Sequence, residues 1–259
     1  MKKNNVVRTL RKNLKRQVTR QLDFHRDRRE FLSQMPADGG DFAMGPTFAI
    51  LNEKDAASGT AQGHYFHQDI FVANRIFHAA PERHVDVGSR IDGFVAHVAA
   101  FRPVEVFDIR PLIANTHNIR FQQIDLAHDL PEHFVGCTDS LSCLHAIEHF
   151  GLGRYGDRIQ YDGHCAGLRN LTRLLRTGGT LYLSTPIGPQ RVEFNAHRVF
   201  SLNYLLEWLT PTYDIQSFSF VDDAGDFHPF QSLDDHAAVE SNFGCHYGCG
   251  IFELTKKAL

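Results

Sequence analysis

His145, Glu148 and His149 are closely spaced side chains suited to proton transfer or metal binding. If a helix begins at His145, the i, i+3 and i+4 spacing places all three on one face. The order H-x-x-E-H is also the inverted zinc-protease motif, in which the histidines bind zinc and the glutamate activates water. That motif requires a long helix and a distant carboxylate ligand, so the surrounding strand pattern disfavours the alternative of a zinc hydrolase.

A glycine-containing turn follows an apolar run at His84–Val87 and precedes a helical pattern that begins near Phe94. Gly88 and Gly93 tolerate backbone conformations that other residues avoid, and the N-terminus of the next helix presents free amide groups. A strand, a turn and a helix in this order are typical of a nucleoside-binding cradle. The two glycines do not complete G-x-G-x-x-G, so the turn is weak evidence by itself.

Acidic residues end the next two predicted strands. Asp108 lies twenty positions after Gly88, where a carboxylate can accept hydrogen bonds from both hydroxyls of a ribose. Asp125 ends the following strand, where its side chain could accept a hydrogen bond from an adenine amino group. We therefore expect these acids, with their neighbours Ile109 and Leu126, to surround a nucleoside; an aspartate that caps the next helix is the alternative for Asp108.

The elements that must position these residues alternate between short β-rich runs and helical patterns. This alternation predicts βαβ units, and hence an α/β fold with a mostly parallel sheet and helices on both faces. The last two strands have no obvious helix between them, so we expect an antiparallel pair at one end of the sheet. The predicted strands cover residues 83–87, 104–109, 119–126, 139–144, 179–184, 216–221 and 250–254.

Several of these segments together resemble the class I S-adenosylmethionine-dependent methyltransferase superfamily. The resemblance rests on the carboxylate of the first strand at Asp86, the glycine after it at Gly88, and the acids at Asp108 and Asp125. The fourth strand, which contains Ser142 and ends in Leu-His-Ala-Ile-Glu-His, and the Gly-Gly turn before the fifth strand also match. The resemblance implies a Rossmann-like sheet, S-adenosylmethionine as cofactor, methyl transfer as activity, and Ser142 among the cofactor-binding residues.

The expected contacts to the methionine end of the cofactor are less specific. Ser89-Arg90 stands where many members of the superfamily carry further small residues, and we include Ser89 and Gly93 among the cofactor-binding residues. The segment Tyr65–Asp69 precedes the first strand and could close over the cofactor, which adds Gln68 to the cofactor-binding residues. An ordinary helix cap is the alternative for this segment.

The resemblance also suggests a divalent metal. A subset of class I O-methyltransferases holds a cation with Glu-x-x-Glu-His at this place and a histidine after the fifth strand. His145, Glu148, His149 and His197 match these positions, and a histidine in place of the first glutamate favours zinc, iron or nickel over magnesium. Metal-free relatives often keep the Glu-His pair and the later histidine. We therefore expect the four residues beside the methyl acceptor, either as ligands or with one imidazole as the base.

Three segments, residues 84–93, 151–157 and 194–200, resemble a bacterial family of uncharacterised methyltransferase-like proteins. Some of its relatives accompany surface-polysaccharide enzymes, which by association suggests a glycan or another small-molecule hydroxyl as the methyl acceptor. A neutral hydroxyl is a poor nucleophile, so methyl transfer to it needs a base or a metal that lowers its pKa. A cofactor-binding scaffold without catalysis is a further alternative.

The first 30 residues carry eleven lysines and arginines against three acids, although the net charge of the chain is −3. Val7, Leu10, Leu14, Val18 and Leu22 recur at helical spacing, which predicts a basic amphipathic helix. Such a helix could lie on an anionic membrane, bind a nucleic acid, contact a second subunit or pack on its own domain. No nucleic-acid motif occurs elsewhere, so we expect no specific nucleic-acid partner.

Length and composition, 259 residues with 42% hydrophobic and 22% charged, are those of a globular protein. We predict the basic helix over residues 1–35, a loop-rich connection over 36–64 and a methyltransferase domain over 65–259. No apolar run reaches the roughly 18 residues that span a bilayer, and no secretory signal is visible. We expect a cytoplasmic protein, at the inner membrane face if the helix binds lipid.

The five cysteines lack the paired C-x-x-C spacing of a zinc ribbon and are odd in number. Their spacing predicts reduced thiols rather than a disulfide framework. The C-x-x-x-C segment at Cys245–Cys249 lies in a glycine-rich stretch, and we interpret it as structural rather than metal-binding.

Overall fold

The computed structural model of the protein describes residues 2–37, 40–128 and 130–258. The chain divides into two compact units, Met1–Thr60 and Ala61–Leu259. In the described parts of the chain, no helix combines the length and the apolar character needed to cross a membrane. All five cysteines are free thiols.

The first unit contains one long helix, α1 (Lys2–Ser33), followed by an irregular segment. Leu14, Val18 and Leu22 of α1 have exposed side chains. The side chains of Val7 and Leu10, which belong to the same predicted stripe, lie outside the described ones. The described part of α1 therefore presents apolar side chains and positive charges on its surface.

Polar contacts between described residues join α1 to the irregular segment of the same unit. Arg20 donates a hydrogen bond of 2.7 Å to Asn52, and Lys54 pairs with Asp27 at 2.9 Å. All four residues are largely exposed or at the surface, so each contact stabilises the unit only slightly.

The second unit alternates strands and helices. Its strands are β1 (His84–Val87), β2 (Val104–Asp108), β3 (Ile119–Gln123), β4 (Thr138–Leu144), β5 (Leu175–Ile187), β6 (Arg191–Glu193), β7 (His197–Val199), β8 (Tyr213–Val221), β9 (Phe227–His228) and β10 (Gly248–Lys256). Its α-helices are α2 (His64–Ala79), α3 (Ala96–Ala99), α4 (Gly163–Leu174), α5 (Leu202–Leu209) and α6 (His236–Glu240). A distorted turn over Ile91–Val95 leads into α3.

The main sheet has the strand order β3-β2-β1-β4-β5-β10-β8-β9 within the described residues. Strands β1 to β5 pair in parallel, whereas β10 pairs antiparallel with both β5 and β8, and β9 with β8. Strands β6 and β7 form a separate antiparallel hairpin. The predicted α/β fold, mostly parallel with antiparallel strands at one end, is confirmed.

The strands separate two apolar layers, because successive side chains of a strand face opposite sides of the sheet. Leu141 and Cys143 of β4 pack with residues of α4 and α5. Leu144 packs on the other face with residues of α2, among them Val72 and Ile76. Both faces of β1 and β4 are therefore covered, and polar residues such as Asp86 and Ser142 are buried together with the apolar ones.

The direction of strand succession reverses at β1, because β2 and β3 lie on one side of it and β4 and β5 on the other. In doubly wound sheets a crevice opens at the carboxyl ends of the strands at such a point. Gly88 and His145 directly follow β1 and β4, and Asp108 ends β2. The fold thus brings these three residues to the edge where the crevice opens.

Candidate active site

A cavity of about 240 Å³ opens at the carboxyl ends of β1 to β4. The predicted cofactor-binding residues that line it are Gly88, Ser89, Asp108, Ile109, Asp125 and Leu126. His145 and His149, from the predicted catalytic group, also line it. Residues from four separate segments of the chain therefore share one cavity.

The turn after β1 depends on glycine at position 88. Gly88 has a φ of +76°, and a Cβ there would approach the Cβ of Ala146 to 2.9 Å. The Gly88 amide donates a hydrogen bond of 2.9 Å to the Phe107 carbonyl of β2. A larger residue would clash and would also need a strained backbone, so the turn stays close to β2 and β4 only with glycine.

Asp86 lies behind the cavity rather than in its wall. Its carboxylate accepts hydrogen bonds from the hydroxyl of Ser142 at 2.6 Å, and from the hydroxyl and amide of Ser89 at 2.8 and 3.1 Å. Complete burial raises the pKa of Asp86 to about 7, against the opposing effect of these hydrogen bonds. Asp86 and Ser142 therefore hold the turn in place, and neither lines the cavity.

Gln68 and Gly93 also lie outside the cavity wall. The side chain of Gln68 accepts a hydrogen bond of 2.6 Å from Ser184 and donates one of 3.1 Å to Asp69. A Cβ at Gly93 would lie 3.1 Å from the Asp69 carboxylate, which is closer than most Cβ contacts. These two predicted residues thus connect α2 to the sheet and to the turn after β1.

The carboxylate of Asp108 is engaged by Arg110, which the sequence analysis did not single out. Arg110 donates from Nε at 3.0 Å and from Nη2 at 2.5 Å to the two carboxylate oxygens. Its Nη2 also lies 3.2 Å from the Gly88 carbonyl, and its guanidinium lies 4.6 Å from the centroid of the Tyr155 ring. A bidentate pair of this kind is strong, so a ribose must displace Arg110 to reach both oxygens.

Asp125 and its neighbours give the cavity a polar acceptor beside apolar walls. The Asp125 carboxylate accepts a hydrogen bond of 2.8 Å from the Ala127 amide and lies 3.4 Å from Nε2 of His128. Ile109 and Leu126 line the cavity next to it. Apolar walls with a few placed polar groups are typical of small-molecule sites.

Residues 145–149 do not begin a helix, contrary to the assumption behind their helical spacing. His145 has a φ of +48°, and a single helical turn covers only Ile147–His149. The turn nevertheless gathers the side chains: His145 Nδ1 lies 2.8 Å and His149 Nε2 lies 3.7 Å from Oε1 of Glu148. The long helix that the inverted zinc-protease motif requires is therefore missing at these residues.

The three side chains differ in their preferred charge. Burial disfavours charge on His145, but Cys249 and Glu148 outweigh it and raise the His145 pKa above its usual value. Burial likewise opposes the charge on Glu148, whereas the neighbouring His145 lowers the Glu148 pKa overall. The pKa of His149 is lowered, mainly by burial.

His149 has one ring nitrogen that is free to accept a proton. Its Nδ1 lies 2.7 Å from the carbonyl of Ala196, and because a carbonyl only accepts, Nδ1 carries the hydrogen. In the neutral ring Nε2 then holds a lone pair. His149 lines the cavity in this form, which suits a general base.

His197, on β7, does not line the cavity. Its Nε2 lies 3.1 Å from a carboxylate oxygen of Glu193, and its ring centroid lies 5.0 Å from that of Tyr247. The Tyr247 ring also contacts His64, with centroids 5.5 Å apart. The structure therefore places His197 beside Tyr247 rather than at the cavity.

One group of potential metal ligands stands out among the described histidines, cysteines and acids. It consists of His64, His145 and Cys249, whose ligand atoms all lie within 4.8 Å of one another. Only His145 belongs to the four ligands expected from the sequence. His64 is lowered in pKa to about 4, first by burial and then by the neighbouring His145. No spacing signal could reveal this group, because its members lie on three distant segments.

Residues 113–231, less than half of the chain, match the family model described as a Caenorhabditis protein of unknown function, DUF268. This description gives no activity. The chain has no match among curated protein sequences.

Solved structures share the fold at low sequence identity. The cyclase SpnF is 15% identical, with a TM-score of 0.54 over 74% of this chain and 82% of its own. The 1,6-didemethyltoxoflavin-N1-methyltransferase of Burkholderia thailandensis, with bound S-adenosylhomocysteine, is 16% identical, with a TM-score of 0.50 over 73% and 79%. This chain has the class I methyltransferase fold.

A third structure, the N-methyltransferase NodS of Bradyrhizobium japonicum in complex with S-adenosylhomocysteine, agrees with this assignment. It is 11% identical, with a TM-score of 0.50 over 76% of this chain and 89% of its own. The class I methyltransferase fold thus occurs in a cyclase as well as in methyltransferases, so the reaction must be argued from the site.

Proposed function

We propose that this chain is an S-adenosylmethionine-dependent methyltransferase that methylates a hydroxyl of a sugar or another small molecule. The observation that carries the proposal is that Gly88, the acids Asp108 and Asp125, and His149 all line one cavity. Two of the similar structures contain S-adenosylhomocysteine, the product that the cofactor leaves after methyl transfer.

The cofactor's nucleoside has a partner at each polar position. Asp108 would accept hydrogen bonds from the ribose hydroxyls after Arg110 moves, and Asp125 would accept one from the adenine amino group. Ile109 and Leu126 would pack against the adenine ring. Gly88 leaves the turn without a side chain, so the backbone can approach the ligand closely. When bound, the cofactor supplies an electrophilic methyl group on a sulfonium.

His149 would serve as the base for the acceptor hydroxyl. When the acceptor oxygen takes the methyl group from the sulfonium, Nε2 of His149 would accept the hydroxyl proton. The hydrogen bond from Nδ1 to Ala196 fixes the required tautomer. The products are then a methyl ether, S-adenosylhomocysteine and a proton on His149.

The other predicted catalytic residues would shape the acceptor side of the cavity. Glu148 holds His145 through Nδ1, and His145 lines the cavity next to His149. His197 would act at a distance, through its contact with Tyr247. A divalent metal among the four expected residues stays a prediction.

Calorimetry and mass spectrometry test the proposal in two steps. We expect both S-adenosylmethionine and S-adenosylhomocysteine to bind the folded protein, and incubation with glycans and small hydroxyl compounds to give products heavier by one CH₂. Failure of both ligands to bind would reject the proposal. Binding without turnover on any acceptor would instead favour a cofactor-binding scaffold.

A further inference from the structure

His64, His145 and Cys249 form a compact group next to the cavity. They lie at the start of α2, just after β4 and near the start of β10. Their ligand atoms lie within 4.8 Å of one another, with His145 and Cys249 buried and His64 partly buried. The rings of His64 and His145 stack, with centroids 5.2 Å apart and an interplanar angle of 8°.

His145 has one ring nitrogen engaged and one without a normal hydrogen bond. Nδ1 lies 2.8 Å from Oε1 of Glu148, whereas Nε2 is buried and makes no hydrogen bond of normal geometry to the described residues, although Cys249 lies near the ring and favours its charged form. Buried polar atoms normally find partners, so an unpaired one calls for a ligand or another explanation. His145 itself is only 8% exposed, so bulk water does not serve this nitrogen.

The surroundings of both histidines match those of metal-binding imidazoles. Such histidines usually give their second N–H to a carboxylate or a backbone carbonyl, which orients the ring. Glu148 occupies this position for His145. A backbone hydrogen bond with Tyr247 does the same for His64. The third member, Cys249, makes long contacts from Sγ, of 3.7 Å to the side-chain oxygen of Gln68 and of 4.0 Å to the carbonyl of Gly250.

We propose that His64, His145 and Cys249 bind one zinc ion. Two imidazoles and a thiolate suit zinc, whereas magnesium prefers oxygen ligands. Zinc takes nitrogen at about 2.0–2.1 Å and sulfur at about 2.3 Å, so side-chain shifts on the order of 1 Å would close the group around the ion. Of the ligands expected from the sequence, only His145 is retained, and Glu148 becomes the group that orients it.

A zinc ion with three protein ligands keeps a fourth position for an oxygen of water or substrate. Because His145 also lines the cavity, an ion held by this group would lie beside it, and an acceptor hydroxyl that reached the fourth position would have its pKa lowered. This catalytic role rests on the proposed function. Zinc binding itself does not, since it is measured without cofactor or acceptor.

Cobalt(II) tests the proposal, because it takes the place of zinc and reports a thiolate ligand through charge-transfer absorption in the near ultraviolet. The full chain is stripped with a chelator and titrated with cobalt in the absence of cofactor. We expect one cobalt per chain, a charge-transfer band, and loss of the band when zinc is added. The variants Cys249→Ser and His64→Gln should each weaken zinc binding at least tenfold, and Cys249→Ser should abolish the band.

Cys165→Ser is the matched control, since Cys165 Sγ lies 3.5 Å from a single histidine, His164. It should keep both the band and the zinc affinity. No bound metal, bound cobalt without the band, or equal losses in the two serine variants would each overturn the proposal. The wild-type spectrum decides even if Cys249→Ser does not fold. Calorimetry with S-adenosylhomocysteine on the same stripped protein reports separately on the proposed function.

Discussion

At the scale of single residues, Asp108 carries the main polar contact expected for the cofactor. Replacing it by alanine removes a charged acceptor, and hydrogen bonds to charged groups contribute about 1.5–3 kcal/mol. We expect Asp108→Ala to weaken the binding of both S-adenosylmethionine and S-adenosylhomocysteine about ten- to a hundredfold in calorimetry. Asp41→Ala, at an exposed position of the first unit, is the control. Unchanged affinity in Asp108→Ala would assign the ribose contact elsewhere.

His149 is expected to act on turnover rather than on cofactor binding. In His149→Gln the side chain can still reach neighbouring polar groups, but it cannot accept the hydroxyl proton. Since general-base catalysis contributes typically about 10²- to 10⁴-fold, kcat should fall by that factor while the Kd of the cofactor changes little. His228→Gln, in β9, should leave both unchanged. Full turnover by His149→Gln would show that His149 is not the base.

Asp86 should make stability depend on pH. Its pKa is about 7 in the folded protein, well above the ordinary aspartate value of 3.8. Between these two values, the folded state keeps a proton that the unfolded chain has lost. Stability therefore falls as the pH rises from about 4 to about 7 and levels off above that. Asp86→Asn should flatten this dependence in urea unfolding, whereas Asp214→Asn, exposed on β8, should not. Parallel curves for Asp86→Asn and the wild type would contradict the assignment.

At the scale of elements, burial decides what can be predicted. The strands β1, β2, β4 and β5 are mostly buried on both faces, and the apolar residues within them were enough to predict them. The hairpin of β6 and β7 has no such run and was not predicted. The turn at His145 was also missed, because a positive φ after a buried strand leaves no periodic signal.

The helix α1 should bind anionic membranes through charge and apolar side chains together. Replacing Leu14, Val18 and Leu22 by serine keeps every charge, and we expect it to reduce flotation with anionic liposomes at low salt. Wild-type flotation should itself decrease as salt is raised. Cofactor affinity should be the same in both proteins. Equal flotation of the wild type and a chain without residues 1–33 would rule out this role for α1.

At the scale of the whole molecule, the sequence predicts the fold better than it predicts the activity. Alternating strands and helices were enough to predict the sheet. Asp108 at the end of β2 and Asp125, two residues after β3, were enough to predict where a nucleoside could lie. The group of His64, His145 and Cys249 could not be predicted, because only the strand order brings β10 and α2 close to the end of β4. The sequence does not predict the methyl acceptor, because segments without a repeating pattern, such as the one that carries Tyr155, contribute to the cavity wall.

The side chain of Arg110 has a consequence for the rate of ligand association. Its guanidinium is bound to Asp108 and to the Gly88 carbonyl and lies against Tyr155. A ribose that needs both carboxylate oxygens of Asp108 can therefore bind only to molecules in which Arg110 has moved away. The apparent dissociation constant of the cofactor is then the intrinsic dissociation constant divided by the fraction of molecules in which Arg110 has left Asp108. If Arg110 has left Asp108 in about one molecule in ten, the observed affinity is about tenfold weaker than the intrinsic affinity. When Arg110 must leave Asp108 before the cofactor binds, the observed association rate levels off at high cofactor concentration. Its limit is the rate constant with which Arg110 dissociates from Asp108.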